Sequence, residues 1–194
     1  MKVLVACEYS GVVRDAFLAR GHDAISCDLL PTDEPGPHHQ GDVIAYLEIL
    51  PEGYFDLIIA HPPCTALAVS GNRWYGAGMP NHQERIESAK WTESFWNLCK
   101  RKAKRVCLEN PVGVLPKLTE MGNPQYIQPW QFGHGETKKT GLWLHNLPPL
   151  EPANIVEGRE QRIWKLPPSA DRWKIRSTTF QGIGEAMAAQ WGRL

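Results

Sequence analysis
The sequence predicts one α/β domain with a mostly parallel sheet, and three observations carry that expectation. Short apolar runs recur at Lys2–Cys7, Asp23–Asp28, Phe55–Ala60 and Arg105–Asn110, each of strand length. Segments with helical spacing lie between them. The runs end in polar or reactive groups, so that Glu8, Asp28, Asp42, Cys64 and Glu109 collect at strand tips, the edge where open α/β sheets hold ligands. A chain of 194 residues suits a single well-cored domain spanning residues 1–194.

The first run, KVLVAC, reads as a strand that Glu8, Tyr9, Ser10 and Gly11 turn into a helix over Val12 to Arg20. Val13, Phe17 and Leu18 supply its apolar face and Gly21 its stop. Asp23 to Asp28 is a second strand ending in a carboxylate. Strand, glycine turn, helix, strand and acid form the layout of a nucleoside-binding βαβ unit, in which the acid accepts the ribose hydroxyls. Only Gly11 of a glycine-rich fingerprint is present, and a plain connection accounts for the same pattern. Leu30 to Gln40, rich in Pro, Gly and His, is expected to be loop. Its His38-His39 pair has no further ligands at metal-binding spacing. Gly41-Asp42-Val43 opens a short helix ending near Leu50, with Asp42 either an acid on the sheet edge or an N-cap.

Phe55 to Gly71, FDLIIAHPPCTALAVSG, organises the rest. Leu57 to Ala60 reads as a strand buried on both faces, and the chain breaks at once into His61-Pro62-Pro63-Cys64. Two prolines stiffen that turn and hold the thiol at the strand's C-terminal end. The small residues that follow suggest a mobile loop. Gly71 to Asn81, with Arg73, Trp74 and Tyr75, suits a lid or a base-stacking element. Gln83 to Lys102 is a long amphipathic helix whose basic tail complements its dipole. The fourth strand ends in Glu109 and Asn110, and Glu109 is expected to be a partly buried acid with a raised pKa, suited to sharing a proton with a ring nitrogen.

The 21 basic and 21 acidic residues cancel, so nucleic-acid contact requires a local patch. Five cysteines form no CxxC pair, and no signal peptide or transmembrane run is visible, which suggests a reduced, cytoplasmic protein. Cys7, Cys27 and Cys107 read as buried small hydrophobes.

Pro62-Pro63-Cys64 with Ala68-Val69-Ser70-Gly71, then Glu109-Asn110-Pro111, resembles the DNA cytosine-5 methyltransferases, whose motifs include a Pro-Cys nucleophile turn and a Glu-Asn-Val strand end. Tyr9-Ser10-Gly11 is similar to that family's first cofactor motif, Asp28 to its ribose-binding acid, and Gly41-Asp42-Val43 to the acid near adenine. Gln131-Phe132-Gly133 followed by Lys138-Lys139-Thr140-Gly141-Leu142-Trp143 resembles the strand that supports the base and its phosphate. Gln181-Gly182-Ile183-Gly184-Glu185-Ala186 resembles the closing helix.

The resemblance implies a Rossmann-like S-adenosylmethionine-dependent methyltransferase domain that methylates carbon 5 of cytosine in DNA. Cys64 is then the nucleophile at carbon 6, Glu109 the proton donor at ring nitrogen 3, and Asn110 the residue ordering the Pro-Pro-Cys turn. Lys139, or its neighbour Lys138, holds the base carbonyl or a flanking phosphate. The cofactor is implied to contact Glu8, Tyr9, Ser10, Gly11, Asp28, Leu29, Asp42, Pro62 and Gly184. Val12 and Val13 stand where the family has more glycines, Thr65 where a Gln follows the cysteine, lysines where it has arginines, and Glu185 where it has Asn. A large target-recognition domain has only Leu150 to Thr178 as its counterpart, a segment that reads as a reduced DNA-contacting flap or as a connector. The substrate is expected to be DNA, double-stranded with the base flipped out or single-stranded, with a separate specificity protein as a further partner. The small size suits a phage or mobile-element modification protein. A Cys-dependent one-carbon transfer to a cytosine nucleotide, or with another donor, is the alternative enzyme, and a non-catalytic subunit of a modification complex the alternative outside enzymes.

Overall fold
In the computed structural model, which describes residues 1–194, the four apolar runs become the middle of a seven-stranded sheet. β1 (Lys2–Ala6) turns into α1 (Val12–Leu18) and β2 (Asp23–Asp28), followed by β3 (His38–Gln40), α2 (Val43–Glu48) and β4 (Phe55–Ala60). The single-turn α3 (Asn72–Tyr75) and the long α4 (His82–Lys102) lead to β5 (Ala103–Pro111) and the single-turn α5 (Leu115–Leu118). β6 (Gln125–Ile127) and β7 (Thr140–His145) complete the sheet, and α6 (Arg162–Lys165), α7 (Arg172–Ser177) and α8 (Gln181–Trp191) follow.

The strand order is β3-β2-β1-β4-β5-β7-β6. β3, β2, β1, β4 and β5 pair in parallel, whereas β7 runs antiparallel to both β5 and β6. This is the mostly parallel, Rossmann-like α/β fold that the sequence predicts. The direction of winding reverses between β1 and β4, and the crevice beyond their C-terminal ends is the position where such sheets take ligands.

Alternation of side chains along each strand divides the core in two. Val3, Val5, Leu57, Ile59 and Cys107 pack against α1 and α8 on one face, while Leu4, Ala6, Ile58, Ala60 and Leu108 pack against α2 and α4 on the other. Trp191 and Phe17 are fully buried on the first face, and Phe95 on the second.

Several expectations need correction. Residues 30–40 are not all loop, because His38–Gln40 pairs with Ser26–Asp28 as an edge strand. Both ring nitrogens of His38 are engaged, with Ser26 Oγ at 2.8 Å and the Leu30 carbonyl at 3.0 Å. α1 stops at Leu18 rather than Arg20. Gln131 to Gly133 is a tight turn rather than a strand, with Gln128 and Gln131 capping each other. The segment after Cys64 is packed rather than mobile: Leu67 is fully buried, and Val69 N and Val114 N tie it to the chain after β5 at 3.0 Å each.

Candidate active site
Cys64 lies just beyond β4 on a turn that the neighbouring strand fastens. Asn110, buried at the end of β5, donates from Nδ2 to the Pro62 carbonyl at 3.3 Å. Pro62 is buried and Pro63 exposed. Downstream, Leu67 N and Ala68 N donate to the Cys64 carbonyl at 3.0 and 2.9 Å. The turn is therefore held from both sides. Burial raises the Cys64 thiol pKa, and the Glu109 charge adds to the rise; Lys138 and Arg176 act in the opposite direction.

Arg85, on α4 and itself buried, holds the next few residues. Its guanidinium donates to the Ala66 carbonyl at 2.6 Å, the Ala68 carbonyl at 3.3 Å and Asn72 Oδ1 at 2.8 Å. Within a run of charged residues on a helix, Arg85 looks like a surface residue, and only Ile86 and Ala89 beside it mark the buried face.

Glu109 stands beside this turn, largely buried, with His61 on its other side. His61 Nδ1 lies 3.3 Å from Glu109 Oε2. Burial alone would raise the carboxyl pKa, but the contact with His61, the Lys138 ammonium and the Thr140 hydroxyl together hold it below the ordinary glutamate value. The raised pKa expected for Glu109 is thus reversed, because burial comes with three stabilising partners. Lys138, rather than Lys139, is the lysine at this site. Lys138 lines a small cavity with Glu109, Thr140, Thr179 and Phe180, whereas Lys139 is exposed and lies over the Tyr126 ring at 4.4 Å. That cavity has a volume of about 10 Å³, room for a single water. Thr179 and Phe180 form one wall of it.

The N-terminal half of the crevice is built around the turn after β1. Gly11 has φ +78, and a Cβ there would meet the Arg14 guanidinium at 2.5 Å, so the turn requires glycine. Glu8, buried, accepts from Val13 N at 2.7 Å, Arg14 N at 3.2 Å and Ser10 Oγ at 3.2 Å. It closes the start of α1, and both oxygens are engaged within the protein. Arg14 is fully buried and donates to Ser26, Thr32 and the Glu34 carbonyl, pinning the loop after β2. Asp28 Oδ1 accepts from Leu30 N at 2.9 Å. Leu29 beside it is 70% exposed. Asp42 is both things the sequence allowed: its Oδ1 caps α2 by accepting from Ala45 N at 3.0 Å, and it lies just beyond β3 on the ligand edge.

Gly184 stands apart from the cofactor set. It is buried where α8 crosses α1, its missing Cβ facing Val13 Cα at 3.4 Å and the Val12 carbonyl at 3.5 Å. Its role is helix packing. Tyr9, in contrast, is covered by α7, with its hydroxyl 2.9 Å from Ser177 Oγ and its ring 5.7 Å from that of Trp173. Lys174 on the same helix bonds Asp33 at 2.7 Å. The segment 150–178 thus lies partly over the N-terminal turn, while Trp164 and Trp173 remain 69% and 55% exposed. No group of His, Cys, Asp and Glu has the arrangement of a metal site, and no helix is long and apolar enough to cross a membrane.

No family model matches the sequence, and no curated protein matches it. Among solved structures the chain is similar to the Entamoeba histolytica methyltransferase EhMeth, at 14% sequence identity and a TM-score of 0.45, over 82% of this chain and 56% of that one. The chain therefore spans little more than half the length of that relative.

Proposed function
We propose that this protein is a DNA cytosine-5 methyltransferase using S-adenosylmethionine and a covalent Cys64 adduct. The observation that carries this reading is the pairing of two strand ends: the Pro62-Pro63-Cys64 turn beyond β4 and Glu109-Asn110 at the end of β5, joined by the Asn110 bond to Pro62.

The residues beyond β1, β2 and β3 fit the cofactor. Gly11 supplies the close turn, Asp28 keeps Oδ2 free to accept ribose hydroxyls, and Asp42 keeps Oδ2 free beyond its capping bond. Bound there, S-adenosylmethionine supplies an electrophilic methyl group. Cys64 loses its thiol proton to water and adds to cytosine carbon 6, forming the S–C6 bond. Glu109 delivers a proton to ring nitrogen 3, so that the electron pair displaced from the ring gathers at carbon 5 as an enamine. Lys138 faces the same pocket and is placed to hold the base carbonyl. After methylation the carbon 5 proton leaves to water, nitrogen 3 returns its proton, and the S–C6 bond breaks to restore the aromatic ring. The arginines and exposed tryptophans of residues 150–178 support DNA as the substrate, because cations meet phosphates and indole faces stack on unpaired bases.

DNA containing 5-fluorocytosine tests this directly, since fluorine does not leave as a proton does. Incubated with S-adenosylmethionine, the wild type is expected to form a denaturation-resistant adduct carrying one added methyl, and Cys64→Ala none. No adduct on duplex or single-stranded DNA, with folded protein, overturns the reading. A methylated cytosine nucleotide under the same conditions supports the smaller substrate instead.

A further inference from the structure
His61 is the one titratable side chain at this site that the proposed reaction does not yet use. It occupies the first position after β4, where its amide donates to the Ala6 carbonyl at 2.9 Å and locks the residue against the end of β1. Pro62 follows and removes backbone freedom on the other side. The imidazole is nine-tenths buried, with 10% of its side chain exposed. Nδ1 faces Glu109 Oε2 at 3.3 Å, and Nε2 is buried with no hydrogen-bond partner. A buried polar nitrogen without a partner is costly as pure structure. A buried imidazole fixed against a carboxylate is therefore better explained as a working group.

Charges of both signs face this pair. Glu8, from the end of β1, attracts the imidazole and Glu109 attracts it from β5. Cys64 on the turn and Cys107 on β5 feel the Glu109 carboxylate. Lys138 acts on both Glu109 and Cys64, and Arg176 of α7 on Cys64. The imidazole thus has an acid on either side, while the cations stand around Glu109 and Cys64. His61, Lys138 and Thr140 together hold the Glu109 carboxyl below the ordinary glutamate value, so Glu109 beside the imidazole is an ionised carboxylate at neutral pH. That creates a difficulty for the proposed chemistry, because an ionised Glu109 has no proton to give to nitrogen 3.

We propose that His61 is the positioning residue that orients Glu109 and loads it with the proton that nitrogen 3 receives. This role rests on the cytosine reading. As Cys64 adds to carbon 6, the Nδ1–H bond of His61 breaks and its proton passes through the Glu109 carboxylate to nitrogen 3, leaving Glu109 ionised and the imidazole neutral with its proton at Nε2. On elimination the proton returns from nitrogen 3 through Glu109 to Nδ1. His61 gives up one proton and recovers it within each turnover, while the carbon 5 proton leaves to water.

The test follows the Glu109 carboxyl by carbon-13 NMR in the free protein, and the pH profile of adduct formation on 5-fluorocytosine DNA, for the wild type, His61→Gln and His61→Asn. Both substitutions are expected to move the Glu109 titration upward, and to slow adduct formation roughly 10²-fold, the lower end of a typical acid–base contribution. DNA affinity is expected to stay unchanged. Because the relay draws its proton from Nδ1, the shape of the wild-type pH profile is expected to differ from that of both variants, which lack the imidazole. An unmoved Glu109 titration and an unchanged profile overturn the proposal. Should the variants not fold, nitrogen-15 NMR of the wild-type ring decides: a proton on Nδ1 facing Glu109 supports the assignment, and an unprotonated Nδ1 overturns it. A moved Glu109 titration with no adduct from the wild type overturns the cytosine chemistry while supporting the His61–Glu109 contact, so the two failures are distinguishable.

Discussion
At the scale of single residues, the acids of the crevice divide by what burial brings with it. Glu8 and Glu109 are both withdrawn from water, yet their carboxyl groups shift in opposite directions. For Glu8, burial outweighs the attraction of His61 and the bonds from Val13 N, Arg14 N and Ser10, so its pKa is raised. A raised folded-state value stabilises the fold below the ordinary glutamate range, and that contribution is lost as pH rises through the folded value. Glu109 has the reverse sign: its contribution is present above the ordinary range and is lost as pH falls through its lowered value. Thermal melting between about pH 3 and 7, a span around the ordinary glutamate pKa, is expected to show this. Glu109→Gln reduces the fall in Tm on the acid side, whereas Glu8→Gln reduces the relative loss on the neutral side. Equal pH slopes in both variants and the wild type would contradict the assignment.

Cys64 offers a second check. Because burial and Glu109 raise its thiol while Lys138 opposes the rise, alkylation by iodoacetamide is expected to be slow at neutral pH and to accelerate with rising pH. Lys138→Met slows it further at any fixed pH. An unchanged rate would place Lys138 outside the electrostatic reach of the thiol. The sequence showed Cys64, Glu109 and Asn110 as a group because each ends or follows an apolar run. It could not decide between Lys138 and Lys139, since a one-residue shift in where a strand begins exchanges its faces. His61 was hidden for a different reason: a lone histidine before two prolines carries no pattern, and only the pairing of β4 with both β1 and β5 places it between two acids.

Among the elements, legibility follows burial. β1, β2, β4 and β5 lie inside the sheet and are written as apolar runs. β3 and β6 have three residues each, with sequences HHQ and QYI, and they sit at the two edges. Backbone pairing defines them, and backbone pairing leaves no periodicity to read. The same limit explains the loop after Cys64, whose small residues suggest mobility until the Arg85 bonds are seen. Arg85→Ala is expected to cost about 3 kcal/mol, since hydrogen bonds from a charged donor contribute about 1.5–3 kcal/mol each and their loss leaves buried carbonyls unpaired. Denaturant unfolding measures that loss, and hydrogen exchange at Leu67 and Ala68 shows whether the loop loosens. Gly113→Ala acts from the opposite wall, because a Cβ there collides with the Leu67 carbonyl. Overpacking of that kind typically costs about 1–3 kcal/mol, and unfolding at or above wild-type denaturant midpoint would show that the loop yields freely.

Across the whole molecule, the chain from α7 to α8 touches both halves of the crevice. α7 lies over Tyr9 through Ser177 and Trp173 and is tied to Asp33 by Lys174, while Thr179 and Phe180 bound the small cavity at Glu109. One segment therefore covers both the turn after β1 and the cavity at Glu109. On the proposed reading the consequence is kinetic: a methyl donor and a base held under one cover are expected to exchange together, with product departure waiting on the same movement that admits the next substrate. Steady-state inhibition by the demethylated donor is expected to reveal a compulsory order of addition, and Ser177→Ala together with Lys174→Ala to relax it toward random order while hastening turnover. On that reading the short helix is expected to set the pace of turnover.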